Sequence, residues 1–236
     1  MTINSSKNAI LRLATAVVIL LVSTTGYAQT FKQILAKAQA GNAKAMVMAG
    51  NAYLYGNGVA KDAKKAFYWY EKGAAKGLDG AQYSLANLYF DGVGTEKNIE
   101  KAVDLYAKAA AQGLPEALNN LGLCYLDGIG IARNPSKAFE CFQKAAQKGN
   151  GEAMANVGYC YETGSGTAVN LQEAVQWYDR ASDEGSQFAY FRLGLMYVNG
   201  YDNNTRLEEG ERMLIYLAEA GYEPAIYALK QFREQK

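Results

Sequence analysis

Histidine is absent from all 236 residues, and this limits the chemistry open to the chain. It removes the commonest general base and the commonest metal ligand together, and with them Ser-His-Asp and Cys-His catalysis and His-based zinc sites. No Ser-x-x-Lys and no Lys-Thr-Gly occurs either, so the signatures of serine acyl transfer to a lactam are missing. Carboxylates lie side by side at Glu208 and Glu209, but adjacent residues of a helix point apart, and the pair reads as solvated surface. Gly-x-Gly segments such as Gly128-Ile129-Gly130 lack the preceding strand and third glycine of a nucleotide fingerprint and read as turns. The expectation is a protein without catalytic residues, metal site or cofactor, and not an enzyme.

Three cysteines remain, Cys124, Cys141 and Cys160, and the elements that place them repeat. Glycine recurs at Gly41, Gly77, Gly113, Gly149, Gly185 and Gly221, and alanine at Ala45, Ala81, Ala117, Ala153, Ala189 and Ala225, both with a period of 36. A fixed period of this size marks a stacked-repeat architecture in which each unit buries a face against its neighbours. Five units follow, at about 42–77, 78–113, 114–149, 150–185 and 186–221, with caps at 29–41 and 222–236, in a single domain. Cys124 shares its slot with Ala52, Leu88, Cys160 and Met196, and Cys141 shares its own with Trp69, Leu105, Trp177 and Met213. Both slots are apolar in every copy and vary together as facing positions would. Two readings stay open: three buried thiols acting as small apolar side chains, or a Cys124–Cys141 disulfide with Cys160 free.

Each unit contains two helices. In the central copy the first starts at Pro115, carries Ala117, Leu118, Leu121, Gly122, Cys124 and Tyr125 at 3–4 spacing, and ends at Gly128. The second is capped by Asn134 and runs through Ala138, Cys141, Phe142, Ala145 and Ala146 to Gly149. Asp62, Asn98 and Asn170 are the corresponding caps. Gly50, Gly122, Gly158 and Gly194, with Ala86 in the second copy, precede Tyr53, Tyr125, Tyr161, Tyr197 and Tyr89 by one turn, so that a neighbouring helix can approach. The fifth copy departs: Asp202 replaces a loop glycine, Gly210 a helix alanine, and Met213-Leu214 an aromatic pair.

Residues 1–28 read as a secretory signal peptide: Lys7 and Arg12 before an apolar run, then the small-x-small site Gly26-Tyr27-Ala28. The expected location is periplasmic or secreted, with no membrane span once the signal is removed. The remaining chain has 22 basic against 23 acidic residues, since Lys7 and Arg12 are the only charges in the signal. Near-neutrality without a basic stripe argues against nucleic acid as a partner.

The segments ALNNLGLCYLDGIG with KAFECFQKAAQKG, and AQYSLANLYFDGVG with KAVDLYAKAAAQG, resemble the Sel-one-like repeat family, relatives of the tetratricopeptide repeat. The resemblance spans the five units and implies an all-α fold: a right-handed superhelical solenoid of helix pairs whose first helices line a concave groove. Its members mostly scaffold protein complexes, so it implies a protein or peptide segment as the partner. Carried over on Leu121, Gly122 and Tyr125, the tetratricopeptide pattern places Tyr83, Asn87, Phe90, Asn119, Asn120, Leu123, Asn156, Tyr159 and Phe191 on the groove. The alternative implied is penicillin binding or weak β-lactamase activity, known in a cysteine-rich bacterial branch. That branch's cysteine positions are held here by Ala74, Ala110 and Ala146 and by Ala81, Ala117 and Ala153, so its disulfide framework does not carry over.

Overall fold

The first helix of each repeat carries a small residue where the second helix crosses it, and this spacing decides how the chain packs. The computed structural model describes residues 28–201 and 205–234; among them it has twelve helices and no strand. The signal segment up to residue 27 and the substituted loop position Asp202 lie outside the described residues. Two compact units meet in sequence at Ala109 and Ala110.

The first unit holds α1 (28–39), α2 (Ala43–Tyr55), α3 (Ala63–Ala75), α4 (Asp79–Asp91) and α5 (Ile99–Ala111), whose last turn enters the second. The second holds α6 (Pro115–Asp127), α7 (Pro135–Ala146), α8 (Gly151–Thr163), α9 (Leu171–Asp183), α10 (Gln187–Val198), α11 (Leu207–Glu219) and α12 (Glu223–Glu234). Even-numbered helices are the first helices of repeats. In the first unit α2 packs on α3 and α3 on α4; in the second every helix from α6 to α12 packs on the next. First helices also touch along their own row, α8 with α10 and α10 with α12. The result is an all-α repeat solenoid.

Helix starts follow the expected chemistry. Asp62, Asn98, Asn134 and Asn170 each accept a hydrogen bond on Oδ1 from the backbone N–H three residues on, at 2.9–3.1 Å. The same four residues donate their own backbone N–H to the carbonyls of Tyr53, Tyr89, Tyr125 and Tyr161, at 2.7–2.8 Å. One polar residue therefore both starts the second helix and ties it to the end of the first. Where Leu78 and Leu114 stand before a first helix, no side chain caps it, and Asp79 or Pro115 occupies the first helical position instead.

The crossing residues explain the core. A Cβ on Gly50 would lie 2.6 Å from the ring of Tyr70, one on Gly122 2.5 Å from Phe142, and one on Gly158 2.8 Å from Tyr178. The sequence anticipates a close approach at these glycines; the structure identifies what enters, the aromatic ring of the same repeat's second helix. In the fifth copy Leu214 takes that slot, and Gly210 replaces the alanine because a Cβ there would meet the backbone oxygen of Gly194 at 2.8 Å. The departure is thus a tighter helix crossing. Around these contacts one core gathers Phe31, Met46, Tyr53, Trp69, Tyr70, Leu85 and Leu88, and another Tyr178, Leu193, Met196, Tyr197 and Met213. Phe31 on Tyr53, Phe67 on Tyr89 and Phe139 on Tyr161 meet edge to face, with ring centroids 5.2–5.3 Å apart.

The second loop glycine stacks one repeat on the one before it. Gly94 (φ +73°) sits against the carbonyl of Ala63, and Gly166 (φ +80°) against that of Pro135, where an added Cβ would fall 2.3 Å and 2.1 Å from the oxygen. These contacts belong to the first and second unit respectively.

Candidate functional site

Nine residues were expected to share one binding face, and the structure gives them different surroundings. Tyr83, Asn87 and Phe90 lie in the first unit, on one face of α4. All three surround Tyr106 of α5: its hydroxyl donates to Asn87 Oδ1 at 2.5 Å, and its ring lies 5.9 Å from Tyr83 and 6.5 Å from Phe90. Asn51 receives the Tyr70 hydroxyl in the same way, at 2.6 Å, and burial pushes that phenol up to about 12. Asn87 is therefore an internal acceptor as well as a partly exposed amide. The sequence carries this signal in its pairs nineteen residues apart: Asn51 with Tyr70, Asn87 with Tyr106, Leu123 with Phe142, Leu195 with Leu214. In these four copies hydroxyl and amide come and go together; the fourth copy, Tyr159 with Tyr178, departs.

In the fourth copy Tyr159 occupies the acceptor's slot, and the Tyr178 hydroxyl donates instead to Glu162 Oε2 at 2.7 Å. Arg192 completes the group through Nε to the same oxygen at 3.0 Å and NH2 to Oε1. Burial works against the Arg192 charge, but the hydrogen bonds and attraction of Glu162 outweigh it and raise its pKa. Burial, reinforced by the Glu162 carboxylate, raises the Tyr178 phenol. Glu162 and Arg192 thus form an ion pair between the fourth and fifth copies. Phe191 lies beside it in α10, its ring 5.5 Å from that of Tyr222.

Asn119, Leu123 and Asn156 come together in the second unit, on the wall of a cleft of about 730 Å³. Asn120, partly buried on α6, does not line it. The N-terminal turns of α8 and α10 form the other walls, contributing Gly151 and Glu152, then Ser186, Gln187 and Phe188; Glu184 and Tyr222 close it. Asn119 is a polar side chain left only 2% exposed. It accepts from Asn156 Nδ2 at 2.8 Å and donates to Glu152 Oε2 at 3.5 Å, so a buried amide joins α6 to α8. Glu152, Glu184 and Phe188 were not among the expected site residues. Their signal lies in the slots: Glu184 stands where Lys76, Gln112 and Lys148 stand in earlier copies.

Cys124, Cys141 and Cys160 are free thiols, and the Cys124–Cys141 bridge that the sequence left open is not formed here. Cys124 and Cys160 are buried and Cys141 partly so. Burial raises all three, with the Asp127 charge adding to Cys124, and pushes Cys160 up to about 12. A raised thiol keeps its proton below that pKa and is a weak nucleophile at neutral pH. Iodoacetamide at pH 8 should leave Cys160 unmodified in the folded protein and modify three thiols once the non-reduced protein is unfolded. Intact mass reads both results, and a single modification after unfolding would establish a bridge. The described residues contain no group of three or more Cys, Asp or Glu placed to hold a metal ion.

Helix pairs of constant period, aromatic wedges at their crossings and an open cleft beside the first helices define an α/α repeat protein built to present a surface. The chain belongs to the Sel1 repeat family, whose repeat profile matches residues 43–78, 80–114, 115–150, 151–186 and 187–209. Proteins of this family are in general protein–protein interaction scaffolds. Among solved structures the chain is similar to c5321, a protective antigen of uropathogenic Escherichia coli with an SLR fold, at 28% identity and a TM-score of 0.75. That match covers 86% of this chain and 44% of the antigen, so the chain spans less than half of the antigen's length. It is also similar to a Sel1 repeat protein from Oxalobacter formigenes, at 32% identity and a TM-score of 0.67 over 76% of this chain and 74% of that one. The immunity protein Pa5087 from Pseudomonas aeruginosa shares the fold, at 22% identity and a TM-score of 0.51, over 87% of this chain and 74% of its own. No curated protein sequence matches the chain.

Proposed function

We propose that this protein is an exported repeat scaffold whose second unit holds a segment of another protein. One observation carries the reading: a cleft of about 730 Å³ beside the first helices, whose floor is the amide pair Asn119–Asn156 and whose edge is Phe188, 38% exposed. Amides satisfy a peptide backbone, and a fixed aromatic ring supplies contact area at small entropic cost. The leader-like residues 1–28 support export, with the partner in the periplasm or outside the cell. No helix among the described residues is long and apolar enough to cross a membrane. Hydrolysis of a lactam gains no support, because burial disfavours the thiolate of every cysteine.

The test is affinity purification from envelope extract with wild-type protein and the Leu123→Ala/Asn156→Ala/Phe188→Ala variant. A partner recovered by wild type should be depleted on the order of tenfold or more by the variant, as for the loss of contact residues at an interface. The same variant should retain the helical circular dichroism of the wild type. An unchanged partner profile with an intact fold would refute the cleft as the binding face.

A further inference from the structure

The cleft has an uncompensated charge. The carboxylates among its lining residues are Glu152 and Glu184, and no lysine or arginine lines it. The ion pairs of the described residues lie elsewhere, at Asp62–Lys65, Asp104–Lys108, Glu162–Arg192 and Glu209–Arg206. Building on the scaffold reading above, we propose that this cleft selects a partner segment bearing a lysine or arginine, whose cationic head sits between Glu152 and Glu184 while its aliphatic stem lies along Phe188.

Three features shape the two acidic residues of the cleft. Gly151 has no side chain where a Cβ would fall 2.9 Å from the Cβ of Glu184, so the start of α8 comes up against Glu184, and the next residue is Glu152. The corresponding first positions of the other repeats are Ala43, Asp79, Pro115 and Gln187; only here is the side chain missing. The hydrogen bond from the buried Asn119 orients Glu152 and leaves its second oxygen for a ligand. Glu184 follows the last turn of α9, where the negative end of the helix dipole adds to its charge. The N-terminal dipoles of α8 and α10 offset part of this charge, but two half-charges, opposed by the C-terminal end of α9, cannot neutralise two carboxylates, so the cleft attracts cations over anions.

Phe188 supplies the wall. The residue is 38% exposed, and its ring is held by an edge contact with Tyr178, centroids 6.4 Å apart. An exposed aromatic residue in a cleft with two carboxylates suits arginine above all, whose guanidinium can stack on a ring and bond a carboxylate in the same pose.

The experiment uses a phage library of random nonamer peptides panned on the purified protein and on Glu152→Gln/Glu184→Gln, which keeps shape and hydrogen-bonding capacity. Wild type should enrich peptides with arginine or lysine at one fixed position, and the variant should lose that enrichment. The best peptide, fluorescein-labelled, is then measured by anisotropy beside its arginine-to-citrulline analogue. Wild type should bind the analogue on the order of tenfold more weakly, and the glutamine variant should bind both alike, as a charge pair removed from either side requires. Peptides selected without a basic position, or a citrulline penalty that survives in the glutamine variant, would overturn the inference and leave the cleft as a peptide site. Selected peptides whose binding survives Leu123→Ala/Asn156→Ala/Phe188→Ala would instead overturn the scaffold reading of this cleft.

Discussion

Gly166→Ala should lower the melting temperature by roughly 6–12 °C, a loss of about 3 kcal/mol on the scale of a protein this size. Two costs combine. The residue holds φ +80°, and a side chain in the left-handed region costs about 1–2 kcal/mol. The added Cβ would also fall 2.1 Å from the carbonyl oxygen of Pro135 and 2.5 Å from its carbon. Backbone cannot swing aside as a side-chain tip can, so the loop must lift from the start of α7 and give up the stacking of one repeat on the next. Gly149→Ala separates the two terms: its φ is +87°, but no atom lies within 4 Å of the Cβ position. It should show the conformational cost alone. Equal shifts for the two variants would mean that the stacking contact contributes nothing.

Gly122→Ala should destabilise by about 1–3 kcal/mol through overpacking, since its Cβ would lie 2.5 Å from a ring carbon of Phe142. That ring is fully buried and has nowhere to go. The partner change is written in the chain's own fifth copy, where Leu214 replaces the aromatic and leaves 3.1 Å at Gly194. Phe142→Leu should therefore cost less in the Gly122→Ala background than alone, with a coupling of about 0.5–3 kcal/mol in denaturant unfolding. Strict additivity would place the ring elsewhere.

Much of this architecture is legible in the sequence because the same physical problem is solved five times. Asp62, Asn98, Asn134 and Asn170 mark helix starts wherever they recur, and each does cap its helix. The glycine rows fix the turns. The site is less legible, because its residues are the ones that break the pattern. Asn87 looks like a free groove amide until Tyr106, nineteen residues on, takes its oxygen. Arg192 pairs with Glu162, thirty residues earlier, in slots that are uncharged in the other copies and carry no periodic signal. Glu184 matters because it departs from the basic or neutral residues of earlier copies, and Gly151 because it alone among first helical positions of the repeats omits a side chain; attention to the slots where the copies differ, rather than where they agree, would have found both. No periodicity argument reveals which helix turn a carboxylate faces.

The ring-and-acceptor pairs also bear on how such a chain can change its length. Asn51–Tyr70 and Asn87–Tyr106 each lie within a single 36-residue unit, so copying or deleting a unit carries both partners and orphans neither. The joints between neighbours at Gly94 and Gly166 touch backbone carbonyls, which every sequence supplies, so this part of the contact between units does not depend on the side chains of the unit before. The Glu162–Arg192 pair is different: it spans the fourth and fifth units through side chains that the other copies lack. Copying is thus modular at the backbone joints, whereas the third, fourth and fifth repeats are bound to their order by Asn119–Asn156 and Glu162–Arg192, and a unit inserted between the last two would leave a partly buried arginine and a partly buried glutamate each without its counter-charge.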